Sequence, residues 1–177
     1  MMRPERSARY GILLLVAFAV VAILALGGHL MRWDVAILRW VAAQRTPART
    51  DVMRDFSAVG EWYWEVPAAF AMAGIIWICR HQGDAWRFLV LGISTEIVYA
   101  AAKAAFHRPR PTVVSHLGKA GWYSFPSGHA MLALTIWGFG LWLLADLAPR
   151  RESRILIRTV GLTLAVAIAG SRIYLGV

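Results

Sequence analysis

Long apolar segments separated by short arginine-rich loops constrain the fold of this chain more than any other feature. The first covers residues 11–28, eighteen residues without a charged side chain, and four more cover 66–79, 86–106, 126–147 and 155–177. A helix needs roughly 20 mostly apolar residues to cross a bilayer, where its backbone must satisfy its own hydrogen bonds. The sequence therefore predicts an all-α, polytopic transmembrane helical bundle with five spans.

The composition excludes several other classes of protein. Hydrophobic residues make up 59% of the 177 residues and charged residues only 16%, which is too apolar for an ordinary soluble domain. The net charge of +9 is spread over loops between apolar runs instead of being gathered on one polar module, so we expect no nucleic-acid partner. With Cys79 as the one cysteine, neither an intrachain disulfide nor a cysteine-based metal site can form.

The positions of the basic residues predict the orientation of the spans. If five spans alternate, the N-terminal tail and the second and fourth loops lie on one side, which the positive-inside rule makes cytoplasmic. The arginines on that side are Arg3, Arg6, Arg9, Arg80, Arg87, Arg150, Arg151 and Arg154. The first loop also carries arginines, but it is longer. The first apolar segment also has features of a signal peptide, but it is longer than a usual signal core, which favours an uncleaved span. Cleavage would leave this orientation unchanged.

The chain is expected to form one membrane-embedded domain over residues 1–177, without internal repeats. It divides into a tail and first span (1–28), an outer loop (29–65) and the core spans (66–177). Apolar residues recur at helical spacing in the outer loop, which suits a helix in the membrane interface or one packed over the ends of the spans. They are Leu30, Trp33, Ile37, Trp40 and Val41.

Three polar clusters converge if the spans alternate. Residues 103–111 follow the third span, residues 127–129 begin the fourth, and residues 171–172 lie near the end of the fifth. Each of these positions is at the outer side of the membrane. The arrangement predicts one shared site on that side.

The start of the fourth span is suited to binding an anion. A helix N-terminus collects unpaired backbone N–H groups and the positive end of the helix dipole. Gly128 allows a close approach of the backbone, Ser127 adds a hydroxyl, and His129 can exchange a proton near neutral pH. These properties indicate a phosphate-handling site.

Cations in the other two clusters complete the predicted site. Lys103, Arg110 and Arg172 are the candidates for binding phosphate, with Arg108 as a weaker one. Each also has a plainer explanation, because lysine and arginine near span ends extend to the membrane surface and a basic loop can simply face water.

Three further polar residues are less specific. Glu96 lies in the middle of a span, where we expect a polar contact between helices. His107 and His116 fall in the outer loop and either touch a substrate or face water. Neither of these histidines has a metal-ligand spacing to a second histidine or a carboxylate, and we expect no metal and no cofactor.

Taken together, the motifs resemble those of the type 2 phosphatidic acid phosphatase superfamily, integral membrane lipid phosphatases related to bacterial acid phosphatases and vanadium haloperoxidases. The family's K-x6-R-P motif matches Lys103 to Pro111, and its P-S-G-H motif matches Pro126 to His129. Its S-R-x5-H-x3-D motif begins at Ser171 and Arg172. The resemblance covers roughly residues 60–177 and implies six spans.

The resemblance implies hydrolysis of a membrane lipid phosphate or pyrophosphate without a metal. A third-motif histidine would attack phosphorus to form a phosphohistidine, and His129 would protonate the leaving oxygen. Because that histidine would follow Val177 directly, the chain as given is expected to be incomplete and inactive. The substrate class would be a polyprenyl pyrophosphate, phosphatidate or phosphatidylglycerol phosphate. The expected location is the plasma (inner) membrane, with the site on the extracytoplasmic face.

Two other functions remain open. A lipid phosphotransferase would use the same intermediate but pass the phosphoryl group to a second lipid. A non-catalytic membrane scaffold would follow if the shortened chain is natural. The sequence does not determine the oligomeric state.

Overall fold

All of the regular structure in the described part of the chain is helical. The computed structural model describes residues 13, 16–25, 27–28, 30–79, 81–118, 121 and 123–177. The helices are α1 (Val16–Ala25), α2 (Met31–Ala42), α3 (Pro47–Val59), α4 (Trp62–Ile78), α5 (Gln82–Phe106), α6 (Gly128–Ala133), α7 (Gly140–Asp146) and α8 (Arg151–Leu175). A π-helical stretch, Leu134–Phe139, joins α6 to α7, so that residues 128–146 form one continuous helix. The all-α prediction is confirmed.

Among the described residues, three helices are long and apolar enough to cross a membrane: α5, the continuous helix Gly128–Asp146, and α8. The second predicted span is the shorter helix α4, of 17 residues. The first predicted span, residues 11–28, lies partly outside the described residues. The count of five spans therefore stays a prediction.

Two of these helices begin about a turn before the predicted apolar segments. Helix α5 starts at Gln82 instead of residue 86, and α8 starts at Arg151 instead of residue 155. Hydropathy marks only the apolar part of a helix, whereas polar residues continue it readily into the flanking turn. In α5, Arg87 pairs with Asp84 three residues earlier at 2.9 Å, which supports this first turn.

Small residues bring the central helices into close contact. A Cβ at Gly161 of α8 would lie 2.7 Å from the Trp137 carbonyl oxygen, so this contact requires glycine. The buried core around these contacts consists of Met72, Ala73, Phe88 and Ile136 in one cluster and Ala133, Ala165 and Ile168 in another. On the outer surface, Ile78, Ile93 and Val166 are between 62% and 79% exposed, as expected of side chains that face lipid.

The connection between α2 and α3 and the loop after α5 are both hydrogen-bonded near the end of α8. Arg45 donates hydrogen bonds to the carbonyl oxygens of Tyr174 at 2.7 Å and Ser115 at 2.9 Å. The N–H of Leu117 donates to the Leu175 carbonyl at 2.8 Å. Helix α2 follows the predicted periodicity and also contacts α8, while none of its residues is buried. Whether α2 lies in the membrane interface stays a prediction.

Candidate active site

A polar cavity of about 400 Å³ opens at the end of the bundle where α5 and α8 end and α6 begins. All six residues predicted to form the site line it, namely Lys103, Arg110, Ser127, Gly128, His129 and Arg172. Five further residues complete the lining: Glu61, Tyr99, Gly121, Ser124 and Val177. The structure thus brings the three polar clusters together as the alternation of spans predicted.

The start of α6 is shaped by a cap and a close contact. Ser127 is the N-cap, and its hydroxyl oxygen accepts a hydrogen bond from the N–H of Ala130 at 3.4 Å. A Cβ on Gly128 would lie 2.8 Å from the ring of Tyr99. The sequence predicted that Gly128 permits close approach to a ligand, and the structure shows that it also permits close approach of this tyrosine.

Lys103 is a buried cation in the last turn of α5. The residue is only 6% exposed, and its Nζ donates a hydrogen bond to the Tyr99 hydroxyl at 3.2 Å. The same Nζ lies 4.9 Å from the centre of the Tyr99 ring. Burial of an ammonium group is costly unless an anion compensates it. The polar cavity that it lines is where such an anion can bind.

Arg110 is held by the loop after α5. Its Nη2 donates to the carbonyl oxygens of Gly121 at 3.0 Å and Tyr123 at 3.4 Å. Burial lowers the pKa of the Arg110 guanidinium and the nearby Tyr99 raises it, but a guanidinium remains protonated in proteins. Arg108, the weaker candidate, instead pairs with Asp34 of α2 and does not line the polar cavity.

Arg172 reaches the polar cavity from the last turn of α8. It is 8% exposed, and its Nη1 donates a hydrogen bond to the Ser57 hydroxyl at 2.6 Å. Ser171, its neighbour in the third motif, is fully buried and donates to the carbonyl of Ile168 in its own helix at 2.7 Å. Of these two motif residues, only Arg172 lines the polar cavity.

His129 faces a carboxylate that the sequence reasoning missed. Its Nε2 lies 3.5 Å from Oε1 of Glu61, and Glu61 is the residue just before α4. Tyr99 was missed as well, although its position four residues before Lys103 places both on one face of α5. Glu61 and Ser57 gave no such signal, because their place in the site depends on how α3 and α4 pack against α8.

The less specific candidates lie outside the polar cavity. Glu96 lines a separate, mainly apolar cavity of about 540 Å³ between α4 and α5. The His107 ring packs edge-on against Tyr123 with 4.6 Å between centroids, and Nε2 of His116 lies 3.0 Å from the Pro111 carbonyl oxygen. In the part of the chain that the structure describes, no group of three or more histidine, cysteine or acidic residues could hold a metal ion.

Comparisons with known proteins agree with these observations. No curated protein matches the sequence. The fold is similar to a solved structure described as the first transmembrane PAP2 type phosphatidylglycerolphosphate phosphatase from Bacillus subtilis. The TM-score is 0.80 at 22% identity, covering 92% of this chain and 83% of that one. The family model of the PAP2 superfamily matches residues 84–177, more than half of the chain. The family resemblance found in the motifs is thus confirmed, and the chain belongs to the PAP2 superfamily.

Proposed function

We propose that this protein hydrolyses a lipid phosphate or pyrophosphate in the polar cavity. The observation that carries the proposal is the convergence of Lys103, Arg110 and Arg172, from three separate segments, on one cavity whose lining includes the single carboxylate of Glu61. A phosphate monoester carries about −1.5 to −2 charges near neutral pH, which three cations can match. Donors fixed before the reaction stabilise charge on the equatorial oxygens of the transition state.

The proposed reaction proceeds in two steps through a phosphohistidine. The third-motif histidine, expected directly after Val177, forms an N–P bond while the P–O bond to the lipid breaks. His129 gives its proton to the leaving oxygen. Water then attacks phosphorus and gives a proton to the deprotonated His129, the N–P bond breaks, and inorganic phosphate leaves. Lys103, Arg110, Arg172 and the N–H groups at the start of α6 hold the phosphoryl oxygens, and no metal is required.

The adjoining apolar cavity supports an amphiphilic substrate. It lies about one helical turn deeper along the same three helices. Each helix contributes a residue to the polar lining and another, three or four positions away, to the apolar lining. These pairs are Glu61 and Glu65, Tyr99 and Glu96, and His129 and Leu132. A phosphate in the polar cavity could therefore continue into a hydrocarbon tail in the apolar one. Polyprenyl pyrophosphate, phosphatidate and phosphatidylglycerol phosphate all have this form.

We place the polar cavity on the extracytoplasmic side of the plasma membrane, with the N-terminus in the cytoplasm. The exposed Cys79, at the opposite end of α4 from the site, allows a direct test. A membrane-impermeant maleimide should label Cys79 only after the cells are permeabilised. In a Cys79→Ser background, Ser115→Cys in the outer loop should be labelled on intact cells. The reverse pattern would contradict this orientation.

The activity is tested with the protein expressed from its complete gene and reconstituted in liposomes. We expect inorganic phosphate to be released from at least one of the three lipid classes, and His129→Asn to reduce this release by about 10²- to 10⁴-fold. Transfer of the phosphoryl group to an added acceptor lipid in preference to water would indicate a phosphotransferase. No turnover of any of these lipids by a chain that carries the third-motif histidine would favour a scaffold.

A further inference from the structure

The corner between α3 and α4, residues 57–61, contacts two of the predicted site residues at once. Its first residue, Ser57, accepts the 2.6 Å hydrogen bond from Arg172, and its last, Glu61, lies 3.5 Å from Nε2 of His129. This α3–α4 corner precedes the residues matched by the family model, 84–177. Its contribution to the site is therefore a property of this structure and not of the matched motifs.

The α3–α4 corner packs so closely that it leaves little room for a side chain at Gly60. A Cβ on Gly60 would lie 3.0 Å from Cδ2 of His129 and 2.5 Å from Cγ2 of Ile168. Glycine is thus required where the corner packs between α8 and the histidine. The imidazole ring is confined by this contact on one side, which limits the directions in which its nitrogen atoms can point.

Positive side chains outnumber negative ones around His129. The residues that line the polar cavity with it include the cations Lys103, Arg110 and Arg172, the phenol of Tyr99 and the carboxylate of Glu61. Nearby cations disfavour the protonated imidazole that a general acid requires, whereas a carboxylate favours it. Within the described lining, Glu61 supplies the one negative charge that can offset the cations at His129.

We propose that Glu61 is a positioning residue for His129, an inference that rests on the proposed function. Nε2 is buried, has no hydrogen-bond partner among the described residues and lies 3.5 Å from Oε1 of Glu61. When this gap closes on ligand binding, the carboxylate accepts a hydrogen bond from Nε2–H, which leaves Nδ1 to carry the proton for the leaving oxygen. When the P–O bond breaks, that proton moves from Nδ1 to the oxygen while Nε2–H stays bonded to Glu61. Carboxylates orient catalytic imidazoles in the same way in hydrolase triads, and such contacts often tighten only when substrate binds.

Leaving-group dependence separates this role from a merely structural one. An alkyl phosphate needs a proton on its leaving oxygen, whereas p-nitrophenyl phosphate releases a weakly basic phenolate. In the complete gene product, Glu61→Gln should lower kcat/KM for the lipid phosphate about 100-fold, within the range of general acid catalysis, and that for the aryl phosphate only a few-fold. Asp55→Asn, at an exposed carboxylate of α3, is the matched control and should change neither. Equal loss on both substrates, or no loss, would overturn the proposal.

A second measurement does not depend on turnover. In the purified 177-residue protein labelled with ¹⁵N-histidine and saturated with inorganic phosphate, the Nε2–H proton of His129 should be shifted downfield and protected from exchange with water. His129→Asn identifies the signal, and Glu61→Ala should abolish the shift and the protection. An identical signal in Glu61→Ala would contradict the hydrogen bond. If no lipid is hydrolysed but this signal behaves as expected, the proposed function fails while the contact between the two residues stands.

Discussion

The polar cavity and the apolar cavity share three helices but differ in almost every chemical property. The first, at about 400 Å³, is lined by three cations, and the second, at about 540 Å³, mainly by aliphatic and aromatic side chains such as Phe70, Trp86 and Ile93. One helical turn on α5 and α6 separates them. A ligand that fits both must change from charged to apolar within about 5 Å, the rise of one turn, which is the form of a lipid headgroup attached to its tail.

Two acidic residues, Glu65 and Glu96, also line the apolar cavity, so the two cavities differ in the predominant sign of their charged residues as well. Glu65 is only 3% exposed, and its Oε1 has no hydrogen-bond partner among the described protein groups. Glu96 lines the same cavity from α5. The polar cavity therefore concentrates positive charge, whereas Glu65 and Glu96 lie about one turn below it.

Loss of a cation from the polar cavity should have the largest effect. Arg172→Ala removes a guanidinium aimed at the proposed phosphate, and we expect kcat/KM for a lipid phosphate to fall about 10²- to 10³-fold, as when one oxyanion donor is removed. Arg158→Ala is the control, since Arg158 lies at the other end of α8 and pairs with Asp146 at 2.5 Å. Phosphate-release kinetics that are equally slow in both variants would argue against a specific site.

A change at the boundary between the cavities should have the next largest effect. The Cβ in Gly128→Ala would lie 2.8 Å from the Tyr99 ring, so the start of α6 or the tyrosine must move, which typically costs 1–3 kcal/mol. We expect about a tenfold lower kcat/KM for substrates of every chain length. In the control, Gly74→Ala, the added Cβ meets no atom within 4 Å. A fall in kcat/KM confined to long-chain lipids would show that Gly128 belongs to the tail site and not to the boundary between the two cavities.

Filling the apolar cavity should affect only substrates with a tail. At Gly92 an added Cβ meets Ile136 at an ordinary 3.6 Å, so the first atom of a leucine side chain fits, and we expect the rest of it to occupy the cavity that Gly92 lines. We expect KM for a long-chain lipid phosphate to rise several-fold, because about 0.8 kcal/mol is lost for each methylene that no longer binds. Hydrolysis of p-nitrophenyl phosphate should be unchanged. The control is Gly74→Leu, and equal effects on both substrates would contradict a separate tail site.

Removal of divalent metal should have the smallest effect, because the charge on the phosphate is matched by lysine and arginine. We expect EDTA to leave phosphate release unchanged for the complete gene product. The check is the rate with and without chelator, followed by added Mg²⁺. Activity that EDTA abolishes and Mg²⁺ restores would show that the cations of the polar cavity are not sufficient for phosphate release.

The sequence predicted the polar cavity better than it predicted what supports it. Lys103, Arg110 and Arg172 were found because charges are conspicuous beside apolar spans and because alternation fixes which span ends meet. Ser57 and Glu61 were not found, since nothing in the local pattern indicates that the α3–α4 corner packs against α8 and His129. The predicted starts of α5 and α8 came about a turn too late, because hydropathy detects the lipid-facing part of a helix and not its polar first turn.

The most direct test of a shared oxyanion site is calorimetric titration of the purified 177-residue protein with inorganic phosphate. The account predicts one phosphate bound per chain, binding about 100-fold weaker or more in Arg172→Ala, and unchanged binding in Arg158→Ala. Phosphate that fails to bind the unmodified protein, or that binds all three proteins equally, would contradict it.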